Sequence, residues 1–143
     1  MSAVHEVAIG LEWILATLRA DSQWLDLSPG GVHIGSAPPS TEYPLTIINF
    51  QSGIDVVTAN ARRIMVNALY LIKAVGPALS SSATINLASR IDELFDKKRG
   101  AATGGVILAC FRENPINYYE NIAGTKYMHL GGLYHIKTQQ VPS

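Results

Sequence analysis

A chain of 143 residues is the size of one domain and can bury about 68–70% of its unfolded surface, so it needs no disulfide or metal to hold a core. Its 11 basic residues balance 11 acidic ones, which argues against a monomer that grips nucleic acid by counterion release. Only 15% of the residues are charged while 48% are hydrophobic, against about 25% charged in ordinary domains; other copies or partners are expected to cover part of this surface, although a compact core explains the same composition.

Cys110 is the single cysteine, so no internal disulfide forms, as suits a reducing compartment. The start "MSAVHEVAIGLEW" has no basic n-region and places Glu6 and Glu12 where a signal peptide needs apolar residues. No apolar run reaches the roughly 18 residues of a membrane span. The expectation is a soluble protein made in a cytoplasm, with no membrane partner.

Val4, Val7, Ala8, Leu11, Ile14, Leu15 and Leu18 form a helical stripe, predicting a first helix over residues 3–20 with Ser2 as N-cap. Trp13 lies off the centre of that stripe, as a partly exposed flank or as a contact with a partner. Residues 28–44, "SPGGVHIGSAPPSTEYP", read as irregular, with a short strand at 32–34. "LTIINFQ" (45–51) is a β-branched strand. In the next strand, 63–75, Ile64, Val66, Ala68, Tyr70, Ile72 and Ala74 form an apolar face opposite a mixed one. Between these strands, residues 53–62 read as a projecting loop too long for a tight turn.

Ser80–Ser82 can cap a second helix whose stripe is Ile85, Ala88, Ile91 and Phe95, with Leu87 and Leu94 alongside. The basic triplet at 97–99 reads as charge at a helix C-terminus rather than as a phosphate site. Strands are predicted at 104–114 and 126–139, joined by a polar, aromatic loop, "PINYYENIAG". The order α, loop, β, β, α, β, β predicts an α+β fold: a four-stranded, mostly antiparallel sheet with two main helices packed on one face, in a single domain over residues 1–143.

The run "YMHLGGLYHI" (127–136) invites a search for chemistry. His129 and His135 are six residues apart, about 20 Å along a strand and about 9 Å along a helix axis, where they would face different sides. Neither spacing lets both hold one ion, and no Cys-x-x-Cys or His-Glu-x-x-His motif assists them. The glycine pairs lack the Lys-Ser/Thr or G-x-G-x-x-G context of a phosphate loop. Gly131 and Gly132 read instead as a strand bend or bulge, or a close backbone approach; a bulge there would turn the two histidines to opposite sides. Cys110 reads as an inert core thiol. Asp92, Glu93 and Asp96 fall on the solvent side of the second helix, and Glu113 or Glu120 can pair with Arg112. No catalytic, metal-binding or cofactor-binding residue is singled out.

The stretch "CFRENPINYYENIAGTKYMHLGGLYHI" resembles the C-terminal signature of phage tail-completion proteins, the tail terminators and tail-to-head joining proteins of long-tailed phages. "ARRIMVNALYLIKAVG" is similar to the central strand of that family, "ASRIDELFDK" to its second helix and "LEWILATLRAD" to its opening. The resemblance spans most of the chain; residues 28–44 and 53–62 match nothing in it. It implies a structural virion protein and not an enzyme. Such proteins assemble as a ring, typically a hexamer, that ends the tail tube, joins the tail to the neck or stopper protein of the head, and lets DNA through its channel. It implies no cofactor, and a location at the tail–neck junction of the virion after assembly in the host cytoplasm. A ring protomer needs two different contact patches. Ile54, Asp55, Val56 and Val57, with Arg62 and Arg63 nearby, are the expected subunit or lumen contacts, against the alternative of a flexible solvated loop. The rival readings are a neck adaptor or stopper between portal and tail, and, from another class, a small α+β enzyme or ligand-binding domain.

Overall fold

The computed structural model describes residues 4–60 and 62–141. Within them the elements are α1 (Glu6–Arg19), α2 (Ser22–Leu27), β1 (Val32–Ile34), β2 (Leu45–Val57), β3 (Arg63–Pro77), α3 (Ser81–Phe95), β4 (Lys98–Ala102), β5 (Gly105–Ile122) and β6 (Thr125–Gln140). A short 3-10 turn, Ala78–Ser80, leads into α3. Among the described residues no helix is long and apolar enough to cross a membrane.

The strands form one six-stranded sheet in the order β1-β2-β3-β6-β5-β4, curled into a half-barrel. β1 runs parallel to β2, and every other pair is antiparallel. This corrects the expected four-stranded sheet with two main helices. The additional strands are edge pieces. β1 is the predicted 32–34 segment drawn into the sheet by β2, and β4 is built from Lys98 and Arg99 of the basic triplet, Gly100 and two alanines. "KRGAA" has no apolar alternation, so only its pairing with β5 makes it a strand. The additional helix, α2, is one and a half turns long, too short for a periodic signal. Asp21 caps it, accepting from the Trp24 N–H at 2.8 Å.

All three helices sit on one face of the sheet, over a core that includes Ile14, Leu18, Trp24, Tyr70, Ile72, Leu87, Ile91, Phe95, Tyr134 and Ile136. The inward face of α1 shares Ile14 and Leu18 with the predicted stripe, with Val4, Leu11 and Leu15 packed at its margin, but it is turned toward Ile9 and Trp13; Ala8 is exposed and Trp13 is buried. Trp13 meets Phe95 edge-on, with ring centroids 5.4 Å apart, so neither reading of Trp13 as a flank or partner contact holds. The rotation is set at the start of α1. There Glu6 is buried and accepts from Arg63 Nε at 2.7 Å, which pulls that side of the helix onto the sheet. His5 is the N-cap, accepting from the Val7 N–H at 3.1 Å; the predicted cap Ser2 and first helical residue Ala3 lie outside the described residues. In α3 the buried side is Thr84, Leu87, Ala88, Ile91 and Phe95, while Ile85 is exposed. Two core tyrosines keep their hydroxyls bonded at the edge of the apolar layer: Tyr70 donates to Val7 C=O at 3.0 Å and Tyr134 to Asp92 at 2.8 Å.

Both predicted loops are largely strand. β2 continues to Val57 and β3 begins at Arg63, so the connection shrinks to residues 58–62, where the Thr58 N–H donates to Arg62 C=O at 2.7 Å. "PINYYENI" is the outer half of β5, closed onto β6 by a two-residue turn at Ala123 and Gly124, both at positive φ (50° and 83°). That is the twist a tight hairpin demands. The two hairpins point to opposite ends of the sheet: β6 begins beside Pro77 and ends beside Val66.

Candidate functional site

The β2–β3 hairpin carries the residues expected to contact other subunits. Ile54 and Val57 are exposed, Asp55 is exposed and Val56 half-buried. Asn67, Val66 and Met65 of β3 stand opposite Ile54, Asp55 and Val56. Side chains alternate across a strand, so Ile54 and Val56 share one face and Asp55 faces the other. Arg62 is exposed in the turn, whereas Arg63 is the anchor that ties the hairpin to Glu6 of α1. Arg62, Arg63, Glu6, Thr58, Gln139 and Gln140 surround an open cleft of about 410 Å³.

Gly131 and Gly132 are not part of this group; they lie mid-sheet, opposite Lys73 and Ile72 of β3. The pairing of β6 with β3 runs without a register shift through both glycines, and the shifts in this hairpin fall in β5, at residues 108 and 113. The expected bulge is therefore in the neighbouring strand. What the glycines provide is closeness: a Cβ on Gly131 would collide with the main chain of Ile72 and Lys73, and one on Gly132 with the Arg112 side chain. With no shift in β6, His129 and His135 face the same side of the sheet.

That side carries no helix and is lined by a row of paired polar and aromatic groups. His129 stacks on Tyr118 with ring centroids 4.4 Å apart and meets Glu120 at 3.1 Å. Lys73, buried in the sheet, donates to the Tyr118 hydroxyl at 2.6 Å. Further along, His135 stacks on Phe111 at 5.2 Å, meets Glu113 at 2.9 Å and reaches Asn67 at 3.0 Å. Burial, reinforced by the Lys73 charge, holds the His129 imidazole below its ordinary pKa of 6.5 despite the pull of Glu120. Each histidine thus has its own carboxylate on β5, and the pairs expected between Glu113 or Glu120 and Arg112 do not form; Arg112 meets Asp92 at 3.4 Å. A pocket of about 300 Å³ opens beside the first cluster, between Tyr43, Ile47, Lys73, Tyr118, Ile122 and His129.

Sequence reasoning passed over Lys73, Phe111 and Tyr118, and gave Glu113 and Glu120 the wrong partner. Their signal was available: Phe111 with Glu113, and Tyr118 with Glu120, repeat an aromatic–acid pair at the two-residue spacing of a strand face. It was hidden because the second pair falls in a segment with loop-like composition. On the helix side, burial and the charge of Asp96 push the Cys110 thiol up to about 12, the opposite of an activated nucleophile. Among the described residues no group of three His, Cys, Asp or Glu side chains is placed to hold a metal ion. Exposed apolar and aromatic residues (Ile54, Val57, Phe111, Tyr118, Tyr119 and Ile122) stand on two projecting hairpins.

No protein-family model matches the chain, and no curated protein matches it in sequence. Among solved structures, it is similar to a chain of the "virion of native gene transfer agent (GTA) particle", with a TM-score of 0.66 and 12% sequence identity, over 96% of this chain and 99% of that one. The likeness at this identity is one of fold, and it spans both chains almost end to end.

Proposed function

We propose that this chain is a structural virion protein. In this reading copies of it form a ring, a hexamer in the full proposal, on the end of a tail tube. The ring stops tube polymerisation, presents a surface to a neck or stopper protein, and leaves a channel for DNA. The observation that carries the reading is the near end-to-end likeness in fold to a chain of a gene transfer agent virion. The resemblance of "YMHLGGLYHI" and its flanks to tail-completion proteins narrows the reading to the tail end. A buried Cys110 whose thiol is held protonated by its surroundings gives the enzyme reading no activated thiol nucleophile. Exposed apolar residues on both hairpins supply the two unlike patches that a head-to-tail ring needs.

Electron microscopy of the purified protein, alone and mixed with tail tubes of the same phage-like particle, tests it. The expected result is rings that cap tubes at one end and halt their growth. Binding to neck components without any tube capping would favour the adaptor reading, and a strict monomer at high concentration would overturn both.

A further inference from the structure

Each hairpin leaves half of one sheet edge open. β1 lies beside β2 only at residues 46–48, and β4 lies beside β5 only as far as Cys110. The covered halves end in strands that discourage pairing, one three residues long and one carrying Lys98 and Arg99. The open halves are longer: residues 49–57 of β2 and 111–122 of β5. The β2 half is interrupted by the bulge at Gln51, and the β5 half by the bulge at Glu113 and the proline at 115; beyond these, residues 53–56 and 116–122 are regular strand.

The bonds already present show which main-chain groups point outward. The Thr46 N–H donates to Gly31 C=O at 2.9 Å and the Gly35 N–H to Ile48 C=O at 3.0 Å, so residues 46 and 48 face away from β3. Alternation carried through the Gln51 bulge turns Gly53 and Asp55 outward too. On β5 the Arg112 N–H donates outward to Asp96 at 2.9 Å. The two-residue turn makes Ile122 and Thr125 an inward-bonded pair. Asn117, Tyr119 and Asn121 therefore point outward.

We propose that the occupant of these edges is a second copy of this chain: the open edge of β2 in one copy pairs antiparallel with the open edge of β5 in the next, Gly53 opposite Tyr119 and Asp55 opposite Asn117. The inference rests on the ring reading and names the surfaces that close the ring. In this register the outward groups of both strands meet as bonded pairs. Ile54 lands beside Tyr118 and Val56 beside Ile116, a β-branched–aromatic and a β-branched pair of the kind that stabilises sheets. The contact covers Ile54, which is 71% exposed in the single chain. Faces match as well, since Ile54 stands opposite Asn67 and Tyr118 opposite His129, all on the helix-free side.

The geometry fits rotation about a ring axis. Within one chain β2 and β5 run in opposite directions across the order β2-β3-β6-β5, so neighbouring copies present antiparallel edges. The open halves lie toward opposite ends of the sheet, and a tilt of the strands to the axis supplies that stagger. Closure pairs the open halves of both edges in every copy and leaves only the outer sides of the short strands β1 and β4 unpaired. A two-fold contact of β5 with itself would leave every β2 edge open and bring the acidic residues Glu113 and Glu120 of two copies together.

Disulfide trapping tests the register. Val56 and Ile116 would be a non-bonded antiparallel pair, whose Cα separation of about 4.5 Å suits a disulfide; buried Cys110 stays out of the reaction. Oxidised Val56→Cys/Ile116→Cys protein is expected to give a ladder of covalent multimers ending at the ring's copy number. Each single variant should remain monomeric on a denaturing gel, and their mixture should give dimers. Asn117→Pro removes one outward N–H from an edge strand and is expected to abolish association while a circular dichroism spectrum stays native. Rings that form without any cross-link in the double variant overturn the edge pairing and leave the ring reading standing. Self-cross-linking of Ile116→Cys alone overturns the head-to-tail register, and a monomer at every concentration overturns both proposals.

Discussion

The two faces of the sheet are made by alternate residues of the same strands, yet they differ in almost every respect. On the helix side Val66, Ala68, Tyr70, Ile72 and Ala74 of β3 are buried in one continuous core. On the other side Asn67, Leu69, Leu71 and Lys73 stand among histidines, carboxylates and aromatic rings that no helix covers. The first face is the larger core, and the second carries the paired histidines together with a smaller apolar cluster of Leu45, Ile47 and Val75 packed by Ala37, Tyr43 and Tyr127. Side-chain parity, not position along the chain, decides which residue joins which face.

The largest test of that division compares one residue from each region. Phe95→Ala removes a fully buried ring packed on Trp13 and Tyr134 and is expected to cost about 3–5 kcal/mol in urea unfolding. Ile54→Ala on the open hairpin should change the monomer's stability by less than about 0.5 kcal/mol; an equal loss at both positions would erase the distinction between the faces.

A second variant sharpens where rigidity lies on the open face. Gly131→Ala places a methyl group against the main chain of Ile72 and Lys73, where neither neighbour is a movable side-chain tip. Overpacking of this kind is expected to cost about 1–3 kcal/mol, read as a lowered urea midpoint with an unchanged slope. A neutral result would mean that the β3–β6 contact is looser than the pairing indicates.

The smallest effect concerns protons. Because burial lowers the pKa of His129 in the folded chain, the unfolded chain binds more protons below the ordinary value of 6.5 and stability falls as the pH drops through that range. Melting temperatures measured from about pH 7.5 down to about pH 5 should decline, and His129→Gln should flatten part of the decline. An unchanged slope in the variant would remove His129 as the titrating group.

Much of this was legible in the residues themselves. The alternation predicted from Ile64 to Ala74 marks β3 and is buried from Val66 onward, although Ile64 itself is exposed, because period-two burial leaves a strong imprint on composition. The predicted stripe of α3 holds at Ala88, Ile91 and Phe95, while Ile85 is exposed and the flanking Leu87 is buried in its place. The even spacing of His129 and His135 put them on one face of a strand, and the structure gives each its own carboxylate there.

Tertiary structure decided the rest. β1 and β4 are strands only because β2 and β5 offer them hydrogen bonds, and a segment without its own periodicity cannot announce such a partner. Trp13 is buried against Phe95 and beside the Gly100 main chain, neighbours that no local pattern contains. The aromatic segment after Pro115 became strand because the turn at Ala123 and Gly124 folds it back on β6, overriding its polar, loop-like composition. By itself the sequence determined which residues prefer a buried face; the pairing of distant strands determined where the faces and open edges lie, because those bonds form only once the sheet exists.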